Sequence, residues 1–95
     1  MNKISIDSAR AFNNNANFKS SNTTVTVANG FTLLRLHSNL IAQKFGGKVK
    51  ITSANWQTKT TKERLNALSG VSINQKKGIW YLNGKEWNGN LIEVE

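Results

Sequence analysis

Four tight-turn signals between short runs of β-branched residues are the feature that most constrains the fold of this 95-residue chain. Asparagine and glycine tolerate the left-handed backbone conformation that a two-residue hairpin turn requires. Because the chain contains no proline, only glycine and asparagine interrupt its extended runs. The pattern therefore predicts hairpins that join antiparallel strands. The turns are expected at Asn29-Gly30, Gly46-Gly47, Lys76–Gly78 and Asn83-Gly84.

The runs on either side of these turns show the period-two alternation that is typical of half-buried strands. In one of them, Val25 and Val27 are expected to face the core. The run Ile79–Leu82 is apolar on both faces, which indicates a central strand. The predicted strands are Lys3–Asp7, Thr23–Val27, Phe31–His37, Leu40–Phe45, Lys48–Ser53, Val71–Gln75, Ile79–Leu82 and Lys85–Trp87.

A short helix is predicted after Thr60, which has capping-box spacing to Glu63. In a capping box the threonine hydroxyl accepts the backbone N–H of the glutamate, and the glutamate side chain accepts the N–H of the threonine. Gly70 can adopt the left-handed conformation that ends a helix. The helix is therefore expected over Thr61–Leu68, and its two leucines should be buried against the strands.

A second short helix is predicted from Asp7 or Ser8 to Phe18, with Ala11 and Phe12 in its apolar stripe. The asparagines at positions 13–15 argue against a long regular helix, because their side chains compete for backbone hydrogen bonds. No linker or internal repeat divides the chain. Residues 1–95 are therefore expected to form a single α+β domain, a mostly antiparallel β-sheet of hairpins with one or two short helices packed on one face.

Positive charge is concentrated in the middle of the chain. The net charge is +8, and residues 44–77 account for +7 of it, with eight basic residues and one acid. Such a segment favours a polyanionic partner, although a basic surface can also serve solubility alone. The candidate contact residues for nucleic acid or a partner protein are Lys48, Lys50, Trp56, Lys59, Lys62, Arg64, Lys76 and Lys77.

The three tryptophans are expected to have different surroundings. Trp80 lies inside an apolar run, and we expect it in the core. Trp56 lies between polar residues in a predicted loop. It could contact a partner or pack against the start of the following helix, and the sequence leaves both alternatives open.

No residue pattern predicts catalysis. The five acids are scattered, without the spacing of a paired-carboxylate site, and the absence of cysteine excludes thiolate and disulfide chemistry. His37 is expected to be a structural strand residue with hydrogen-bonded ring nitrogens. Gly46-Gly47-Lys48 lacks the spacing of a phosphate-binding loop. We therefore expect no enzymatic activity, no metal and no cofactor.

The sequence also favours a compartment. The first residues lack the apolar segment of a secretory signal, and no apolar run approaches the length of a membrane span. The expected location is therefore the cytoplasm of a bacterial host cell. The oligomeric state stays open.

Several short motifs resemble a family of small, mostly uncharacterised proteins of phages and mobile elements. They are T-x-T-T-K-E-R-L-N at Thr58–Asn66, W-Y-L-N-G-K-x-W at Trp80–Trp87, L-x-L-H-x-N at Leu34–Asn39 and A-F-x-N at Ala11–Asn14. The resemblance extends over most of the chain and identifies no catalytic residue. Because small phage proteins of this size include anti-CRISPR and other anti-defence inhibitors, it implies a function by binding.

Two hypotheses about function follow. In the first, implied by the resemblance, the protein inhibits a host defence protein or nucleoprotein complex, as an anti-CRISPR does. In the second, it is a nucleic-acid-binding module without sequence preference that uses the basic residues named above. Positive charge would speed the encounter with the partner in both cases.

Overall fold

The computed structural model describes residues 1–94, which form two helices and nine strands. The helices are α1 (Lys3–Asn13) and α2 (Lys59–Asn66). The strands are β1 (Phe18–Ser20), β2 (Thr23–Ala28), β3 (Phe31–Leu36), β4 (Asn39–Phe45), β5 (Lys48–Ile51), β6 (Ile73–Lys76), β7 (Ile79–Leu82), β8 (Lys85–Glu86) and β9 (Ile92–Val94).

The strands form two antiparallel sheets. In the large sheet β1 to β5 lie side by side in chain order, and β9 pairs with β5 at the edge. The small sheet has the order β6-β7-β8. All four predicted turns join antiparallel strands, so the α+β fold class and the hairpins are confirmed.

The N-terminal segment differs from the prediction. Lys3–Asp7 is not a strand, because α1 already begins at Lys3 and is capped by Asn2, whose Oδ1 accepts the N–H of Ser5 at 2.9 Å. The buried positions of α1 are 5, 8, 9 and 12, which is a helical spacing filled partly by serine. The helix ends at Asn13, so Phe18, which was predicted to be helical, lies in β1.

Helix α2 forms where a helix was predicted, but its cap is different. The capping box of Thr60 and Glu63 is wrong: the N-cap is Thr58, whose Oγ1 accepts the N–H of Thr61 at 3.1 Å. The Glu63 side chain instead accepts a hydrogen bond from Nδ2 of Asn2 at 2.9 Å. An earlier cap moves the helix two residues toward the N-terminus.

The core joins both helices and both sheets. Helix α1 contacts β1, β2 and β3, and α2 contacts α1, β4 and β6. Leu65 and Leu68 are buried, as predicted. Val49, which alternates with lysines and is therefore also predicted to face the core, is only partly buried, and Val27, at the end of β2, is 40% exposed. The buried core residues are Ala9, Phe12, Val25, Leu34, Leu36, Ile41, Ala42, Ile51, Leu65, Leu68, Val71, Ile73, Trp80, Leu82 and Trp87. The prediction that Trp80 belongs to the core is confirmed.

Candidate functional site

One face of the large sheet is left open. Along β3, Leu34 and Leu36 are buried while the alternate residues are only partly buried, so the helices cover one face. Residues paired across antiparallel strands point to the same face. The strand register therefore defines a row on the other face that crosses five strands, and none of its members is buried. The row is Thr26, Leu33, Gln43, Lys50 and Glu93.

Two parallel rows complete this surface, which we call the open sheet face. One row contains Lys19, Thr24, Arg35 and Leu40. The other contains Ala28, Phe31, Phe45 and Lys48. No residue of either row is buried. The sheet therefore presents a surface that mixes apolar, aromatic and basic side chains to solvent.

The aromatic part of the open sheet face is a phenylalanine pair. The rings of Phe31 and Phe45 are stacked, with centroids 4.5 Å apart and planes 26° apart. Phe45 also lies against Gly30, and 53% of its surface is exposed. Stacking orients the Phe45 ring while about half of the residue stays accessible to solvent. A second planar group can therefore stack on it.

The charge on the open sheet face is positive. Lys19, Arg35, Lys48 and Lys50 contribute four cations against one acid, Glu93. Among residues 1–94 the ion pairs lie within α1, so these four cations form none. Arg35 Nη1 donates to Oγ1 of Thr26 at 3.0 Å, which orients the guanidinium along the sheet. The four cations are thus available to an anionic ligand.

The predicted contact residues do not form one set. Lys48 and Lys50 lie on the open sheet face, whereas Lys59, Lys62, Lys76 and Lys77 lie on α2 and the β6–β7 hairpin, on the helix side of the large sheet. Of this second group, Lys62 is already engaged. Its Nζ donates to Oε1 of Gln75 at 2.6 Å and lies 5.7 Å from the ring centroid of Trp80.

Arg64 is wrongly predicted as a contact residue, because it is 4% exposed. Its Nε donates to Oγ1 of Thr23 at 2.9 Å, and its Nη1 donates to Oγ of Ser5 at 2.8 Å. Burial lowers the pKa of the Arg64 guanidinium, and the neighbouring Glu63 partly offsets this effect. Arg64 therefore joins α2 to α1 and β2 and has no surface to offer a partner.

Lys44 also has a structural contact. Its Nζ donates to the backbone carbonyl oxygens of Phe12 at 2.6 Å and Asn13 at 3.1 Å. These carbonyls lie at the C-terminal end of α1, where a cation is favoured by the helix dipole. Burial lowers the pKa of the Lys44 ammonium. This lysine of the basic segment therefore caps a helix.

Trp56 is 61% exposed and lies beside a cleft of about 390 Å³. We call this the Trp56 cleft. It lies between the start of α2, the β3–β4 turn and the loop after β5. The lining residues are Leu36, His37, Asn39, Ile41, Ser53, Trp56, Thr58, Thr60 and Thr61. The sequence left two alternatives for Trp56, contact with a partner or packing against the start of the following helix. The structure places Trp56 in a loop with most of its ring in solvent.

The loop that presents Trp56 is held by Gly89. The carbonyl oxygen of Gly89 accepts the N–H of Ser53 and the hydroxyl of Thr52, both at 2.9 Å. A side chain at Gly89, which has φ +90°, would overlap Ser53 Oγ. Ala54 and Asn55, which follow Ser53 in the chain, have φ of +53° and +66°. This left-handed conformation costs energy for residues other than glycine. The exposed position of Trp56 is therefore imposed by the fold.

His37 lies on the opposite wall of the cleft and differs from its prediction. It is exposed and lies in the β3–β4 turn with φ +50°, followed by Ser38 with φ +68°. Its ring makes no hydrogen bond within residues 1–94. The prediction of a structural histidine within a strand is therefore wrong. No turn is predicted at His37-Ser38, because neither residue is glycine or asparagine.

Comparisons with known proteins identify one relationship. A family model described as Kyanoviridae Gp96 protein matches residues 1–93. No curated protein and no solved structure matches the chain. The resemblance to a phage protein family is thereby confirmed at that level. Neither helix of residues 1–94 has the length and hydrophobicity of a membrane span.

Proposed function

The chain belongs to the Kyanoviridae Gp96 family of phage proteins, and from its open sheet face we propose that it binds single-stranded nucleic acid without sequence preference. The strongest support is that one uncovered surface combines four cations with an exposed, stacked phenylalanine. None of the four cations forms an ion pair within residues 1–94. Cations bind the phosphates, and aromatic rings stack on the bases.

The aromatic ring distinguishes single strands from duplexes. In a duplex the face of each base is covered by its stacked neighbours. Phe45 could therefore contact only the sugar-phosphate backbone and the base edges in the grooves. In a single strand every base has a free face for stacking. Six strands spaced about 4.8 Å apart give a platform about 24 Å wide, which is broad enough for several nucleotides. The platform suits a flexible strand better than a rigid duplex.

Fluorescence anisotropy with a labelled oligothymidylate, at a series of salt concentrations, tests the proposal. Four phosphate contacts on a single strand give a slope of log K against log salt of about −3, from about −0.7 per contact. Replacing Lys48 and Lys50 with alanine should reduce the slope by about 1.4. A double change of Lys76 and Lys77, exposed lysines on the β6–β7 hairpin, is the matched control and should change it little.

Two results would contradict the proposal. The first is an absence of binding at low salt. The second is a larger effect of the hairpin pair than of the sheet pair, which would move the interface to the helix side of the large sheet. A duplex of the same sequence should bind more weakly than the single strand, because it cannot stack on Phe45.

A second candidate function is inhibition of a host defence protein or nucleoprotein complex, as in anti-CRISPR proteins. Its support is Trp56, which is exposed and belongs to one of the residue types enriched in binding hot spots. Expression in cells with an active CRISPR system, followed by phage plaquing, tests it. Protection of the phage that is lost with Trp56→Ala would support it, and no protection against a panel of defence systems would contradict it.

A further inference from the structure

The Trp56 cleft has the chemistry of a nucleobase site. We infer that it holds one unpaired base of the strand bound on the open sheet face, an inference that rests on the proposed function. None of the lining residues is an Asp, Glu, Lys or Arg. A charged ligand would find no counter-charge there, whereas a neutral planar ring can stack on the indole of Trp56.

Polar groups in the cleft are available to hold the edge of a base. The hydroxyl of Thr58 accepts the N–H of Thr61, and the hydroxyl of Ser53 donates to Gly89. By contrast, the side chains of His37, Asn39 and Thr60 make no hydrogen bond within residues 1–94. An amide, an imidazole and a hydroxyl together supply both donors and acceptors, which the edge of any base requires.

The cleft lies on the helix side of the large sheet, since the buried Leu36 and Ile41 line it, and the β3–β4 turn lies between it and the open sheet face. Arg35 and Leu40 pair across the two strands on the open sheet face. His37 and Asn39, which line the cleft, lie within two residues of them along the chain. A strand whose phosphate contacts Arg35 can therefore place a neighbouring base over the edge of the sheet and against Trp56.

Tryptophan fluorescence offers a direct test with the whole chain. Trp56 is 61% exposed, while Trp80 and Trp87 are 2% and 6% exposed, so an added ligand reaches Trp56 first. The probe is free adenosine, which has no phosphate. We expect saturable quenching that is insensitive to salt. Asn39→Ala retains the Trp56 reporter and should weaken adenosine binding about three- to tenfold, as expected for a lost hydrogen bond.

The control and the oligonucleotide variant separate this inference from the proposed function. Ile79→Ala removes an exposed apolar side chain that does not line the cleft and should leave quenching unchanged. Trp56→Ala should lower oligonucleotide affinity on the order of ten- to hundredfold, the usual cost of one stacked base. It should leave the salt slope unchanged, because tryptophan contacts no phosphate.

The outcomes are distinguishable. Saturable quenching that weakens in Asn39→Ala, with reduced oligonucleotide affinity for Trp56→Ala, supports the base site. Quenching that rises linearly with adenosine, or oligonucleotide affinity that is unchanged in Trp56→Ala, overturns the base site while the sheet-face proposal stands. Failure of the wild-type chain to bind any oligonucleotide overturns both.

Discussion

Replacing Arg64 should destabilise the protein more than replacing any other basic residue, because it is a buried cation that joins three elements. Its two short hydrogen bonds reach hydroxyls that are themselves buried, those of Ser5 and Thr23, at 2.8 and 2.9 Å. Two longer contacts reach Oδ1 of Asn2 at 3.4 Å and Oδ1 of Asn22 at 3.3 Å. All the acceptors are neutral, so the hydrogen bonds, together with the charge of the neighbouring Glu63, offset the desolvation of the guanidinium.

The expected magnitude follows from these contacts. Each hydrogen bond to a charged group contributes about 1.5–3 kcal/mol to stability. Arg64→Ala removes the two short ones, leaves buried hydroxyls with fewer partners and opens a void, so the free energy of unfolding should fall by about 3–5 kcal/mol. Arg64→Lys retains the charge and one donor position but loses the planar fork, and we expect a loss of about 1–3 kcal/mol.

Urea unfolding, followed by far-UV circular dichroism, measures both losses. Lys59→Ala is the matched control, since Lys59 is an exposed cation on the same helix. It should change the free energy of unfolding by no more than about 0.5 kcal/mol. A loss below about 1 kcal/mol for Arg64→Ala would refute the assignment of Arg64 to a stabilising buried network.

Three further predictions concern the local backbone. Thr58→Ala should cost about 1 kcal/mol of stability as the true helix cap, and Thr60→Ala less, as measured by urea unfolding; equal losses would contradict the cap assignment. Gly89→Ala should lower the melting temperature by several degrees, roughly 4–8 °C per kcal/mol lost, because its methyl group would overlap Ser53; an unchanged melting temperature would contradict the tight contact. Changing His37-Ser38 to Asn-Gly should stabilise the hairpin by about 0.5–1 kcal/mol, since both positions have positive φ; destabilisation would show that the native side chains support the turn.

The hairpins could be predicted because their signals are local. Asn29-Gly30 and Asn83-Gly84 have the backbone freedom that their turns use, and the predicted turns indeed join paired strands. The sequence predicts the helix cap two residues late because Thr58 and Thr60 are chemically equivalent candidates. Only the surrounding structure decides which of two threonines lies outside the first turn.

The first part of α1, Lys3–Asp7, is predicted as a strand because its packing is not local. Ile4 and Ile6 alternate with polar residues, but Ser5 and Ser8 are the buried positions, both fully inaccessible. Ser5 is buried because Arg64, far away in sequence, donates to its hydroxyl. A buried serine paired with a buried arginine leaves no hydrophobic pattern in the sequence.

The candidate site depends on the pairing register of the strands, which cannot be predicted from individual residues. Arg35 and Phe45 were not predicted as contact residues, yet strand pairing places them on the same open face as Lys48 and Lys50. The register includes an irregularity between Leu34 and Arg35. Alternation in the sequence predicts strands, but which face of the sheet is uncovered depends on where the helices pack.

The most direct test of the central claim is a titration of the ¹⁵N-labelled chain with a short oligothymidylate, followed by NMR. If the open sheet face binds single-stranded nucleic acid, the largest shifts should occur at the amides of Leu33, Arg35, Gln43 and Lys50, and the solvent face of α1 should stay unchanged. Shifts confined to α2 and residues 76–78, with the open sheet face unaffected, would contradict it.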